Sequence, residues 1–309
     1  MFDKTQTYCF GRYLVDIPIG AVQKGQGNTY YATRINSGKG IPDFTTRVNA
    51  ALTKRKNEPG KHGFKYVKSE FPEGGDKQII VAKADLWGTS AYSLDAFVKI
   101  ASQKVGSGHF YYLSGEGFSA KSLDSTIADY RDILATIRYR TPRGIPSEPG
   151  FCLENGFIAN DGTHPQAEVA SLAFRLTDNQ DVRIRIESEV RFKPWPSLLT
   201  KQKQANLQGR FPGMIKTIKS GQLTVNGLVG EESLMSYPSD DKVGEAHNFT
   251  WETLGEEGRT LKPDILLEIT SGEGIAGVTG QSSISTKQIL ALYEVIVKSI
   301  RLRPTGVNK

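Results

Sequence analysis

Ser285–Arg303, STKQILALYEVIVKSIRLR, is the stretch from which the fold is read, because the chain contains a second version of it. Residues 122–140 read SLDSTIADYRDILATIRYR and align on it without a gap at an offset of 163 (293 − 130). Ser122, Ala128, Tyr130, Ile133, Ile137, Arg138 and Arg140 fall on Ser285, Ala291, Tyr293, Ile296, Ile300, Arg301 and Arg303. The apolar positions Ile127, Tyr130, Ile133, Leu134 and Ile137 match Leu290, Tyr293, Ile296, Val297 and Ile300 at helical spacing. Each stretch therefore has one stripe to bury. Ser285 with Gln288 three residues on reads as a capping box, and each copy ends in a strand-like Ile-Arg-x-Arg tail before a proline. A helix with one buried stripe needs a sheet beneath it. The repeat predicts an α+β protein of two similar tandem domains, each a mainly antiparallel sheet with packed helices.

The rest of the chain can be placed around the two helices. Cys9–Pro18 reads as one opening strand and Thr29–Ile35 as a second. Asp43 caps a helix whose face is Phe44, Val48, Ala51 and Leu52. Phe64–Phe71, Gln78–Asp85, Ser93–Ile100 and Phe110–Gly115 read as strands, giving the order ββαββββα. Thr141–Gly150 holds three prolines and two glycines and reads as a linker. The predicted division is 1–142, linker 143–150, and 151–309. In the second half Phe151–Ala159 reads as a strand. Leu172, Phe174 and Leu176 alternate with Ala173 and Arg175, and Val182, Ile184 and Ile186 with Arg183, Arg185 and Glu187, which marks a hairpin. Ser197 caps a helix near 198–208, and strands follow near 215–220, 222–229, 231–237, 247–254 and 265–270.

With 309 residues and 38% apolar content the chain is long enough for two cores. No apolar run approaches the roughly 20 residues of a membrane span, and no signal peptide is visible. The chain is then either cytoplasmic or has lost a leader. The net charge of +6 is uneven: residues 1–145 hold 21 Lys+Arg against 13 Asp+Glu (+8), and residues 146–309 hold 18 against 20 (−2). Such a first half attracts acidic partners. The basic residues are scattered along strands, which sets nucleic acid aside. Lys54-Arg55-Lys56 complements the dipole at a helix end. Cys9 and Cys152 open equivalent positions of the two halves and are expected as buried free thiols; a disulfide stays open but needs Cα atoms within about 7 Å. No Cys/His spacing suits a metal.

No Gly-x-Ser-x-Gly pentapeptide occurs. His62, His109, His164 and His247 lie far apart in turn-like contexts. Gly38-Lys39 is followed by Gly40, so a phosphate loop fails. Gly272–Gly277 matches Gly-x-Gly-x-x-Gly, but Glu273 would face the pyrophosphate and no helix opens after it. Gly115-Glu116-Gly117 repeats its start, which suggests one structural turn made twice. No catalytic residue, cofactor or metal site is expected, and the chain reads as a non-enzyme. Exposed aromatics remain: Trp87, Trp251 and above all Trp195, held between Pro194 and Pro196 beside Phe192. Trp195, Phe192, Lys54 and Arg55 are the candidate partner-binding residues.

Cys9–Pro18 (CFGRYLVDIP) and Gly150–Ile158 (GFCLENGFI) resemble the opening motifs of the two domains in a family of immunity proteins. Its members are periplasmic partners of type VI secretion lipase effectors of the fourth lipase family. The resemblance implies an inhibitor that clamps a cognate α/β-hydrolase phospholipase between its two domains and prevents self-intoxication. It also implies a periplasmic location, with the export signal trimmed from this sequence. Val15-Asp16-Ile17-Pro18 and Thr136-Ile137-Arg138 further resemble the Mog1/PsbP-like sandwich. That likeness implies the alternative of an envelope accessory protein that binds another partner.

Overall fold

The computed structural model describes residues 2–38, 43–57, 63–72, 74–86, 88–100, 110–239, 244–272 and 280–305. The first half holds β1 (Thr5–Phe10), β2 (Tyr13–Pro18), β3 (Ala21–Tyr30), β4 (Thr33–Ser37), α1 (Phe44–Asn57), β5 (Lys65–Glu70), β6 (Lys77–Leu86), β7 (Thr89–Lys99), β8 (Phe110–Ser119), α2 (Ala120–Thr136) and β9 (Ile137–Tyr139). The second holds β10 (Gly150–Leu153), β11 (Gly156–Ala159), β12 (Glu168–Leu176), β13 (Arg183–Glu189), α3 (Leu198–Ala205), α4 (Leu207–Arg210), β14 (Lys216–Val225), β15 (Leu228–Pro238), β16 (Glu245–Thr253), β17 (Asp264–Ser271), α5 (Thr286–Ser299) and β18 (Arg301–Leu302). The fold is α+β with antiparallel pairing throughout the described ladders.

The chain folds into two compact units, each taking segments from both halves of the sequence. The first compact unit is Met1–Gly27, Arg143–Cys152 and Asp161–Lys309; the second is Asn28–Pro142 and Leu153–Asn160. The cause is a reciprocal exchange of hairpin strands. In the first unit β2 pairs with β18, with Leu14 opposite Arg301 and Tyr13 opposite Leu302. In the second unit β11 pairs with β9, with Phe157 opposite Arg138 and Gly156 opposite Tyr139. The repeat offset of 163 carries Arg301 onto Arg138, and an offset of 143 carries Cys9 onto Cys152 and Leu14 onto Phe157, so the two registers are the same. The closing arginines follow suit: the Arg303 N–H donates to Arg12 O and the Arg140 N–H to Asn155 O, each at 3.0 Å. Each half thus closes on the opening hairpin of the other.

The exchange also corrects the expectation of free thiols. Gly11 and Cys152 trade backbone hydrogen bonds (3.2 and 2.7 Å). This holds the Cα atoms of Cys9 and Cys152 at 5.9 Å, and a disulfide joins them. Both sulfur-bearing residues are buried.

Each unit then builds the same ladder. The second has the order β4-β8-β7-β6-β5, and the first has β13-β17-β16-β15-β14, with β12 and β3 beyond β13. In the second unit Ile80 joins Phe44, Val48, Phe97 and Phe110 in one cluster. Its neighbours Ile79 and Val81 point to the opposite face and are also fully buried, since strand side chains alternate. The sheet is therefore covered on both sides, by α1 and by α2 with its buried Ile127, Tyr130, Ile133 and Leu134. In the first unit α5 buries Ile289, Leu292, Tyr293, Ile296 and Val297. The Tyr293 ring meets Phe249 of β16 edge-on at 5.9 Å. Ser285 accepts from the Gln288 N–H and completes the predicted capping box, whereas α2 starts a turn earlier than expected, capped by Ser119.

Several predicted single strands are hairpins. Cys9–Pro18 folds back at Gly11 (φ +53), and Phe151–Ala159 at Asn155 (φ +52). Thr29–Ile35 folds back at Tyr31 and Ala32, which adopt φ of +49° and +57° without glycine. Conversely, Lys216–Val225 is one strand where a break near residue 221 was expected: Gly221 keeps an extended backbone, and the turn falls at Asn226-Gly227 (φ +48°, +83°), the Asn-Gly pair that two-residue hairpins favour. The outermost strands β5 and β14 share a Lys-x-Val/Ile-Lys-Ser motif (65–69 and 216–220), and both are bulged at its third residue. Lysines and a bulge protect an edge from pairing with another chain.

Candidate functional site

Phe192 and Trp195 lie on the segment between β13 and α3 of the first unit. Pro194 and Pro196 fix φ and remove two N–H donors, so the segment joins neither sheet nor helix. Helix α3 opens only after Ser197, whose hydroxyl accepts from the Thr200 N–H at 3.3 Å. Trp195 is 56% exposed and Phe192 46%. The Arg191 guanidinium lies over the Trp195 ring, 5.1 Å from its centroid. Arg191 is itself held by Glu189 at 2.9 Å and Asp264 at 3.5 Å. The indole is thus propped from one side by an anchored cation, while much of its surface stays in water.

Lys54 and Arg55 lie in the last turn of α1 in the second unit. Arg55 Nε donates to Asp95 Oδ2 (2.8 Å) and Nη2 to Glu116 Oε1 (3.3 Å), and the guanidinium lies over the Phe64 ring. Its charge ties α1 to β7 and β8. Lys54 is exposed and borders a depression of about 210 Å³ with Arg47, which stacks over Tyr112. Phe192 and Trp195 belong to the first unit, and Lys54 and Arg55 to the second. Trp251 is buried, its Nε1 donating to Leu223 O at 3.0 Å, and is packing. Trp87, His62, His109 and residues 273–277 of the glycine-rich run lie outside the described residues.

His247 corrects the turn-like reading of that histidine, since it sits on β16 and is buried. Its Nδ1 is 2.9 Å from Ser271 Oγ and its Nε2 3.0 Å from Thr286 Oγ1. That is the spacing of a base and a nucleophile. Yet Ser271 is fully buried and accepts a hydrogen bond from Ser282 Oγ at 2.8 Å, so a substrate has no access. Burial holds the His247 pKa below the usual histidine value. The pair is a clasp between β16, β17 and α5. Three other buried carboxylates are matched: Glu168 with Arg12 (2.7 Å), Glu232 with Lys219 and the Tyr293 hydroxyl (2.6 and 2.9 Å), and Glu252 with Lys201 (2.8 Å). Paired buried charges of this kind hold a fold together.

Sequence reasoning passed over Phe211 (43% exposed) and Met214 (44% exposed). Their signal is compositional: residues 190–230 hold seven Lys/Arg and no Asp or Glu.

Residues 144–305 match the family model described as Tle cognate immunity protein 4 C-terminal domain, more than half of the chain. No curated protein matches the chain. Among solved structures, the apo immunity protein TplEi of the type VI secretion system from Pseudomonas aeruginosa has 25% identity and a TM-score of 0.82. A chain of the Tle4–Tli4 complex has 26% identity and a TM-score of 0.82. TplEi from Pseudomonas aeruginosa complexed with "L" peptide has 26% identity and a TM-score of 0.77. Each of these likenesses covers 99% of this chain and 100% of the other. The chain belongs to the family of Tle cognate immunity protein 4.

Proposed function

We propose that the protein is an immunity protein that binds and inhibits a cognate phospholipase effector of a type VI secretion system in the periplasm. The observation that carries this is the likeness, along the whole chain, to a chain solved within a Tle4–Tli4 complex, together with the family match over 144–305. In this reading the chain is an inhibitor and not an enzyme. The enclosure of the Ser271–His247 pair supports that, because the two groups cannot meet a substrate. The Cys9–Cys152 disulfide supports the compartment, since disulfides persist where the milieu is oxidising.

Self-protection requires a complex that rarely opens. That calls for nanomolar or tighter affinity and an interface of about 1,600 Å² or more. Trp195 and Phe192 serve as anchors, because a propped, exposed aromatic recovers hydrophobic free energy when a partner covers it. Lys54 acts at the rim, where charges steer association more than they hold the complex. The test mixes the purified protein with its cognate lipase and follows complex formation by size exclusion and the remaining lipolysis. Co-elution with loss of lipolysis supports the reading; full lipolysis at saturating protein overturns it.

A further inference from the structure

We propose that a concave apolar groove on the first unit, between the α3–α4 segment and strands β14–β16, receives an acidic amphipathic segment of the partner lipase. The inference rests on the inhibitor reading above and assigns a surface to it. Two adjoining concavities of about 390 and 400 Å³ share Leu207, Ile215 and Met235 as their floor. Phe211 and Met214 form the outer wall with close to half of each side chain in water. The backbone holds them there. The Met214 N–H returns to Phe211 O at 3.2 Å, across Pro212 and a Gly213 at φ +72°. Proline followed by a residue at positive φ is the turn chemistry that needs glycine at its third position. The turn projects both apolar side chains at the mouth of the groove instead of folding them into the core. Two methionines in the lining give it side chains that adapt to an incoming shape.

Charge selects the occupant. The second half of the sequence is net acidic, yet 190–230 contains seven cations and no carboxylate. Lys201 and Lys219 are paired with Glu252 and Glu232. Lys203, Arg210 and Lys216 are exposed and make no ion pair among the described residues. No carboxylate lines either concavity. An apolar floor with Lys203 in its lining and the Arg210 guanidinium over the ring of Phe211 at its mouth fits a segment that is apolar on one side and carries Asp or Glu on its flanks. The floor is concave, so a flat lipid surface would reach only the rim and leave Leu207 and Met235 uncovered.

The experiment uses the full chain with Met214→Glu, Phe211→Ser and the charge reversal Lys203→Glu/Arg210→Glu, all at exposed positions. Circular dichroism and thermal midpoints verify the fold. Affinity for the purified lipase is measured at about physiological salt, and association rates in low and high salt. Met214→Glu and Phe211→Ser should each weaken binding about 30-fold, the scale of a central anchor. The charge reversal should slow association about tenfold at low salt, an effect that fades as salt rises. If the wild type inhibits the lipase and all three variants bind within about twofold of it, the groove assignment is overturned and the inhibitor reading stands. If the wild type neither binds nor inhibits, the inhibitor reading falls and the occupant with it. Binding of the wild type to phosphatidylglycerol vesicles that Met214→Glu abolishes, with lipase affinity unchanged, overturns the proposal in favour of a membrane contact.

Discussion

Replacing both Cys9 and Cys152 by alanine should cost the protein a large share of its stability. The bridge spans 143 residues of sequence. In the loop-entropy account a closed loop of about 144 residues removes about 17 cal/mol/K from the unfolded chain, or about 5 kcal/mol at 25 °C. Domains of ordinary size have only about 5–15 kcal/mol in total. Removing the two sulfurs disturbs the native state itself much less, because Gly11 and Cys152 remain joined through their backbones. The assay is urea unfolding followed by far-ultraviolet circular dichroism, oxidised wild type against Cys9→Ala/Cys152→Ala. With a slope of about 3 kcal/mol/M the midpoint should fall by about 1.7 M. A fall below about 0.3 M with unchanged slope would refute the reasoning. It would mean that the unfolded chain gains little freedom when the loop opens.

Three further outcomes are expected. Arg12→Met leaves Glu168 as a buried, unmatched carboxylate and should destabilise by about 3–5 kcal/mol in urea titration; Arg12→Met/Glu168→Leu should recover most of the loss. Burial holds His247 below its unfolded pKa, so as pH falls below about 6.5 the unfolded chain takes up a proton that the native state refuses. This contribution to stability is constant above that pH and declines below it by at most about 1.4 kcal/mol per unit; thermal midpoints between about pH 7.5 and 5 should fall less steeply for His247→Asn. Trp195→Ala should weaken the lipase complex by more than about 2 kcal/mol in a titration, and a change in stability with unchanged affinity would return Trp195 to a packing role.

The elements that local chemistry specifies were readable from the sequence. The two closing helices declare themselves through the spacing of Tyr130, Ile133 and Ile137 and of Tyr293, Ile296 and Ile300, all of which are buried. The hairpin of β12 and β13 forms in the expected alternation, with Leu172 opposite Ile186 and Phe174 opposite Ile184. The exchange of opening hairpins was not readable. The tail Ile137–Tyr139 can satisfy its hydrogen bonds on either hairpin, because Leu14 and Phe157 occupy the same register position. Local sequence carries no preference between them; long-range packing decides. The disulfide was hidden for the same reason, since its geometry exists only once the exchange is made.

At the binding surface the outcome was again divided by range. The prolines around Trp195 announce an exposed ring, and the ring is exposed. Arg55 carries no sequence mark of its ties to Asp95 and Glu116, which lie on distant strands. His247 looks like a turn residue until Ser271 and Thr286 close over it.

The account stands most directly on one titration: lipolysis by the cognate effector, held at about 100 nM, as this protein is added. The account predicts that activity falls in a straight line to near zero and stays there, as a nanomolar or tighter inhibitor requires. Activity that persists with the protein in large excess would contradict it.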